Sequence, residues 1–211
     1  MKRAISAVLA AVVLVLNFAA CDSSPKATPE SSPKSASSSE AKSEATSASS
    51  FSWHEKDSVY RLTKFIGSET NVIIPSKVNG VEVKTVALMA FQGTSIESVV
   101  VPDSVTLIED YAFDRCDNLK SIIFGKGVTV LKANTVTYCR SLESVTFMGE
   151  VEKIYPEAFT HIKSVTFYGS KMPDFGGLAF PLKTEIKYKK GASGWSEYVQ
   201  ENSDVYTFVE F

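Results

Sequence analysis

The sequence predicts a β-rich, right-handed solenoid. It should have five to six coils of about 23 residues, a parallel sheet on the concave side, short helical or 3-10 turns on the convex side, and a cap at each end. Two features of the repeat point there. The segments Val99–Ile108, Ile122–Leu131 and Val145–Ile154 align position by position and begin at 99, 122 and 145, a spacing of 23. Each runs on to an apolar residue five positions later: Phe113, Val136 and Phe159. A third feature is compositional. Hydrophobic residues are 44% of the 211, yet 22–50 contains no aromatic and no branched aliphatic residue, so the core belongs to the repeating part. One such coil cannot bury its own apolar edge, and stacking on its neighbours solves that problem.

The elements follow in order. Lys2 and Arg3 precede Ala4–Leu16, whose single polar member is Ser6. Thirteen residues are too few to span a bilayer, which needs about 20. Charge, a short apolar run and then small residues is the order of a secretory signal, assigned to 1–20. The run ends Phe18-Ala19-Ala20-Cys21, which resembles a bacterial lipobox with Phe18 in place of the usual aliphatic residue. That resemblance implies diacylation of the Cys21 sulfur and a membrane anchor. The alternative is ordinary cleavage after Ala20, which leaves Cys21 a free thiol.

Residues 21–50 read as the lipidated cysteine followed by a disordered tether. Asp22–Ser50 has twelve Ser, five Ala and three Pro, and nothing in it offsets the entropy of ordering a chain. A flexible chain of this length has an end-to-end distance of ~30 Å and a full extension of roughly 100 Å, enough to hold a domain clear of lipid.

Residues 51–71 read as an N-terminal cap, with short strands at Phe51–Trp53 and Val59–Leu62. The solenoid proper is 72–190. Its first copy begins at Val72-Ile73-Ile74-Pro75 and carries an insert around Asn79-Gly80. A shortened copy begins at Val165-Thr166-Phe167. Three internal ladders result. One is Ile74, Val101, Phe124, Phe147, Phe167; another is Val86, Ile108, Leu131, Ile154; the third is Phe91, Phe113, Val136, Phe159, Phe180. Residues 191–211 read as a C-terminal cap, with a turn of helix from Trp195 and a strand over Val205–Phe208.

A period of 20–29 residues with Leu-x-x-Ile-x-Phe triplets matches leucine-rich repeat geometry. The stretches IPSKVNGVEVKTVALMAF, VPDSVTLIEDYAFDRCDNLKSI and LKANTVTYCRSLESVTF resemble the BspA-like leucine-rich repeat family of bacterial surface proteins, known from treponemes and Bacteroidetes. So does Tyr188–Trp195, which is similar to that family's closing segment. The likeness covers about residues 58–196. It departs at Asn134-Thr135-Val136, where the pattern has Ala-Phe, and in the fourth coil, which lacks the cysteine. The resemblance implies attachment to host matrix or cell-surface proteins or to other bacteria. A periplasmic scaffold lipoprotein bound to another bacterial protein is the alternative. A monomer is expected in either case.

Alternation along the strands assigns an outward face. One row is Asn71, Ser98, Ser121, Ser144, Ser164. The next is Ile73, Val100, Ile123, Thr146, Thr166. The last is Pro102, Gly125, Met148, Tyr168. Neighbouring strands lie ~4.8 Å apart, so each row is a continuous line. Ile73, Val100 and Ile123 suit a sheet by β-propensity alone, but they also make this face the candidate partner-binding surface, with Met148 and Tyr168 at its edge. Glu97, Lys120, Glu143 and Lys163 alternate in sign just before the strands, which favours correct stacking. Cys116 and Cys139 fall at equivalent points of adjacent coils. Buried free thiols are the favoured reading, because ladder side chains point the same way; a disulfide is the alternative.

The chemistry of catalysis is not legible. There is no Gly-x-x-x-x-Gly-Lys loop, Gly-x-Ser-x-Gly elbow or His-Glu-x-x-His. His54 and His161 have no ligand spacing around them, and the Asp residues at 103, 110, 114 and 117 do not follow a calcium loop. No cofactor, metal or catalytic residue is expected. The net charge of −2 argues against nucleic acid.

Overall fold

The computed structural model of the protein describes residues 44–211. The apolar segment, Cys21 and most of the serine-rich stretch, with the expectations attached to them, lie outside the described residues. The folded unit begins with a 3-10 turn, Ala48–Ser50, and an antiparallel hairpin of β1 (Phe51–Lys56) and β2 (Val59–Phe65). The first coil holds β3 (Asn71–Ile73), β4 (Lys77–Val78) and β5 (Val81–Val86). The next three pair a longer strand with a shorter one. These are β6 (Ser98–Val101) with β7 (Leu107–Ile108), β8 (Ser121–Phe124) with β9 (Val130–Leu131), and β10 (Ser144–Phe147) with β11 (Lys153–Ile154). Then come β12 (Ser164–Phe167), β13 (Asp174–Phe175), β14 (Glu185–Tyr188), helix α1 (Trp195–Asn202) and β15 (Thr207–Glu210).

The longer strands form one seven-stranded sheet in the order β15-β14-β12-β10-β8-β6-β3, and every pairing in it is parallel. This is the β-rich solenoid that the repeat requires. The registers have no slip: Ser98, Ser121, Ser144 and Ser164 pair in line, as do Val100, Ile123, Thr146 and Thr166. A slip of one residue would turn every buried side chain outward, so the alternation pins the register.

All three ladders superpose along the stack. Phe124, Phe147 and Phe167 are buried, with ring centroids 5.0 Å and 5.2 Å apart. Val86, Ile108, Leu131 and Ile154 have no exposed surface. Phe91 stacks on Phe113 at 5.1 Å, and Phe159 on Phe180 at 5.6 Å. Val136 sits buried between them and bridges Phe159 through its backbone. An aliphatic residue therefore interrupts the aromatic stack without opening the core.

The convex crossings are short turns, as expected, closed by 3-10-type bonds such as Ala112 N–H to Glu109 O at 3.3 Å and Asp114 N–H to Tyr111 O at 3.1 Å, and among the described residues none of them extends into a helix. The reason is backbone geometry. Met89, Tyr111, Asn134 and Glu157 at one corner, and Arg115 and Tyr138 at another, have φ between 54° and 58°. A left-handed residue cannot continue a right-handed 3-10 run. The corners are held also by bonds between coils: Phe91 N–H to Ala112 O at 2.8 Å, Phe113 N–H to Thr135 O and Val136 N–H to Ala158 O, both at 3.0 Å.

The N-terminal cap differs in extent from its expected bounds, and the C-terminal cap in what it adds. The N-terminal cap starts before Phe51. Thr46 N–H donates to Ile73 O and Thr46 Oγ1 accepts from Ile73 N–H, both at 2.9 Å. Ser50 is buried and donates to Glu69 at 2.6 Å. The 46–50 stretch, expected as tether, is thus part of the cap; backbone pairing and the hydroxyls of Thr46 and Ser50 supply what its composition lacks. At the other end β15 does more than cover the last coil, since it adds a seventh strand in register with β14. Helix α1 has eight residues and puts Trp195 into the core, where its ring stacks on Tyr188 at 4.6 Å.

Candidate functional site: the concave sheet

The seven-stranded sheet carries the outward rows. Its strands show the same pattern four times over, half-buried and buried residues alternating, in β6, β8, β10 and β12. Buried Val99, Ile122, Val145 and Val165 face the core. Between them Ser98, Ser121, Ser144 and Ser164 form one outward line, and Val100, Ile123, Thr146 and Thr166 the next. Ile73 extends the second line through its pairing with Val100. Every candidate contact residue named from the sequence is therefore on one face of one sheet, half-buried, as a side chain standing among close neighbours must be.

The hydroxyl line is only partly engaged within the protein. Ser98 Oγ donates to Asn71 Oδ1 at 2.7 Å, and Ser164 Oγ makes a long bond, 3.3 Å, to Glu143 O. The third row departs from expectation at one point. Gly125 is buried rather than displayed, because the Pro102–Asp103 backbone lies across it. Met148 and Tyr168 remain half-exposed. Tyr168 is flanked by Phe211, ring edge to face at 5.3 Å, so the aromatic edge of the site has two members where the repeat pattern marks one.

Sequence reasoning also stopped the rows one coil early. Glu185 continues the serine line and Lys187 the Thr166 line; Val209 follows Lys187. Alignment to the repeat could have found Glu185 and Lys187, whose strand, Glu-Ile-Lys-Tyr, alternates like the others. Val209 lies beyond the helix, where no repeat spacing reaches.

Charges line one rim of the sheet in pairs. Lys120 Nζ lies 2.7 Å from Glu97 and Lys163 Nζ 2.8 Å from Glu143. The Lys163 ammonium holds the Glu143 carboxyl below its ordinary pKa. Behind them a backbone ladder runs from Lys120 N–H to Glu97 O, Glu143 N–H to Lys120 O and Lys163 N–H to Glu143 O. The pairs are exposed, so each contributes only ~0–1 kcal/mol and acts mainly on stacking order.

Cys116 and Cys139 are buried free thiols. Each donates to the carbonyl of an apolar ladder residue one coil back: Cys116 to Phe91 O at 3.0 Å and Cys139 to Phe113 O at 2.9 Å. The neighbouring Cys116, and then burial, push the Cys139 thiol far above its ordinary pKa. A thiol as protonated and enclosed as Cys139 is a poor nucleophile, and Cys116 is shut off from reagents by its own burial. Among the described residues no three His, Cys, Asp or Glu side chains are placed to hold a metal ion. On the convex side Arg115, Asp117, Tyr138 and Arg140 line a shallow depression of about 400 Å³. Each guanidinium there already has a carboxylate beside it, Asp114 at 3.6 Å and Asp117 at 4.0 Å.

A family model described as the BspA type leucine rich repeat region matches residues 84–190 in six copies. The chain belongs to this BspA-type family. Among solved structures, a leucine-rich repeat protein from Bacteroides ovatus superposes with a TM-score of 0.51 at 20% identity, over 66% of this chain and 48% of that one. It supports the fold alone, and the BspA-type chain spans about half its length. A leucine-rich repeat protein from Bacteroides capillosus gives 0.44 at 21% identity, covering 56% of this chain and 86% of that one. A leucine rich cell surface protein from Faecalibacterium prausnitzii gives 0.36 at 16%, covering 79% and 73%. Comparison with curated proteins gives no match.

Proposed function

We propose that this BspA-type protein is an exported, lipid-anchored envelope protein whose concave sheet docks a protein partner, as an adhesion module without catalysis. The observation that carries the reading is the concave face itself. Outward side chains repeat in register across seven parallel strands, with Ile73, Val100 and Ile123 side by side at one end. Aliphatic groups left half-exposed forgo, over the part still in water, the ~25 cal/mol per Å² that burial would return, and a partner laid across them restores it. Anchoring rests on the sequence around Cys21, where two or three acyl chains would hold the protein durably at ~0.8 kcal/mol per buried methylene. Among the described residues no helix is long and apolar enough to cross a membrane.

Two experiments test the parts separately. Surface protease applied to intact cells should remove the folded unit; full protection would instead favour a periplasmic scaffold. Pull-down with the full chain should recover a partner that is lost with Ile123→Glu. Recovery unchanged by that charge would move the contact off the sheet.

A further inference from the structure

We infer that the concave sheet takes an uncharged, extended polypeptide segment of about six residues, and that its binding is insensitive to salt. This rests on the concave sheet being the docking face, and it adds the chemistry of the occupant.

Charge is the first observation. Charged residues are 22% of the chain, yet the three outward rows between Asn71 and Tyr168 contain no Asp, Glu, Lys or Arg. Along the rim before the strands the charges are spent on one another. Glu97 and Glu143 on the rim hold Lys120 and Lys163. Where charge re-enters the face, Lys187 lies 3.1 Å from Glu185. A charged occupant would lose its hydration on this face and find no opposite charge within the rows from Asn71 to Tyr168, whereas a neutral one pays no such penalty.

Size is the second. Five strands at ~4.8 Å and three rows at two-residue intervals give a field of roughly 19 by 13 Å, on the order of 250 Å². A globular partner or a second copy needs about 800 Å² on each side for a stable interface. An extended segment of six residues spans ~20 Å and fits the field. The third observation is the gradient along the rows. Ile73, Val100 and Ile123 give way to Thr146 and Thr166, while Met148 and Tyr168 continue the apolar lane one row over. Aliphatic side chains on the occupant match that lane, and its backbone amides can bond the hydroxyls of Ser121 and Ser144.

The probe is a random dodecapeptide phage library, selected on the full chain and in parallel on Ile123→Thr and Ile123→Glu. Threonine stands at the equivalent positions 146 and 166, so Ile123→Thr keeps the fold, and circular dichroism melts check both variants. The expected result is enrichment of peptides with fewer charged residues than the library and more Val, Ile and Leu. Synthetic copies should bind less tightly to Ile123→Thr and fail on Ile123→Glu. Their dissociation constants should change by less than about twofold between low and high salt, since screening acts on charge. Enriched peptides that are charged, or that weaken about tenfold in high salt, but still fail on Ile123→Glu would overturn this inference and leave the docking face standing. Peptides indifferent to Ile123→Glu, or no enrichment at all, would overturn both.

Discussion

Phe147 stands at the centre of a stack of three rings, so Phe147→Ala measures what stacking between coils contributes. The side chain is 1% exposed, with Phe124 at 5.0 Å on one side and Phe167 at 5.2 Å on the other. Truncating a buried phenylalanine costs ~3–5 kcal/mol through lost transfer energy and the cavity left behind. Two lost ring contacts, each worth ~0.5–1.5 kcal/mol beyond area, place the value in the upper half of that range. The cavity cannot collapse easily, because rigid rings bound it above and below. With a urea slope of about 2 kcal/mol per molar for a unit of this size, a loss of ~4 kcal/mol lowers the midpoint by about 2 M. Thr146→Ala, one residue away but facing outward, is the control and should stay within about 0.5 kcal/mol. A solenoid adds a second signature. If coils couple only to neighbours, the variant should lose cooperativity between β8 and β10 and show a reduced slope. A Phe147→Ala loss below about 1 kcal/mol would refute the reasoning, because the ring would then not be stacked within a continuous core.

Three further outcomes are expected. Gly125→Ala should destabilise by roughly 1–3 kcal/mol in the same urea assay, as overpacking does, since a Cβ there would lie 2.5 Å from the Pro102 carbonyl carbon and 2.6 Å from Asp103 N. Acid should weaken the fold in a defined window. Lys163 lowers the Glu143 pKa, and the Ser170 backbone N–H lowers that of Glu150. The unfolded chain therefore takes up protons first, so this stability is intact above the ordinary carboxylate value of about 4.3 and is lost as pH falls through the lowered folded values. Urea midpoints between pH 7 and 3 should show that loss, and it should be smaller in Glu150→Gln; an unchanged slope would contradict the assignment. Cys116 and Cys139 should resist iodoacetamide in the native protein and react once it is unfolded, read by peptide mass, whereas a disulfide would leave both unmodified in either state.

The ladders were legible because stacking forces one residue type to recur at one spacing: Phe124, Phe147 and Phe167 can be aligned with no knowledge of the fold. The outward rows were legible for the same reason, since side-chain direction in a strand has period two. What was hidden depends on contacts without a period. Thr46 joins the cap through one backbone bond and one hydroxyl bond to Ile73, and a single threonine leaves no mark on composition. Gly125 is buried by a neighbouring coil's main chain, which a reading of side-chain alternation cannot register. Phe211 reaches Tyr168 only because β15 joins the sheet after α1, a pairing between segments of unlike sequence. The convex corners were legible as short turns, but their left-handed positions were not, because these hold Tyr111, Arg115 and Tyr138, where glycine or asparagine would have signalled the conformation.

The docking role is tested most directly by photocrosslinking in living cells, with benzoylphenylalanine placed at Ser121 or Ser144 on the sheet and at Tyr138 or Tyr155 away from it. Adducts of a defined mass should form from the two sheet positions and be absent from the other two. Adducts from Tyr138 or Tyr155, with none from Ser121 or Ser144, would contradict the account and place the partner on the outside of the coil.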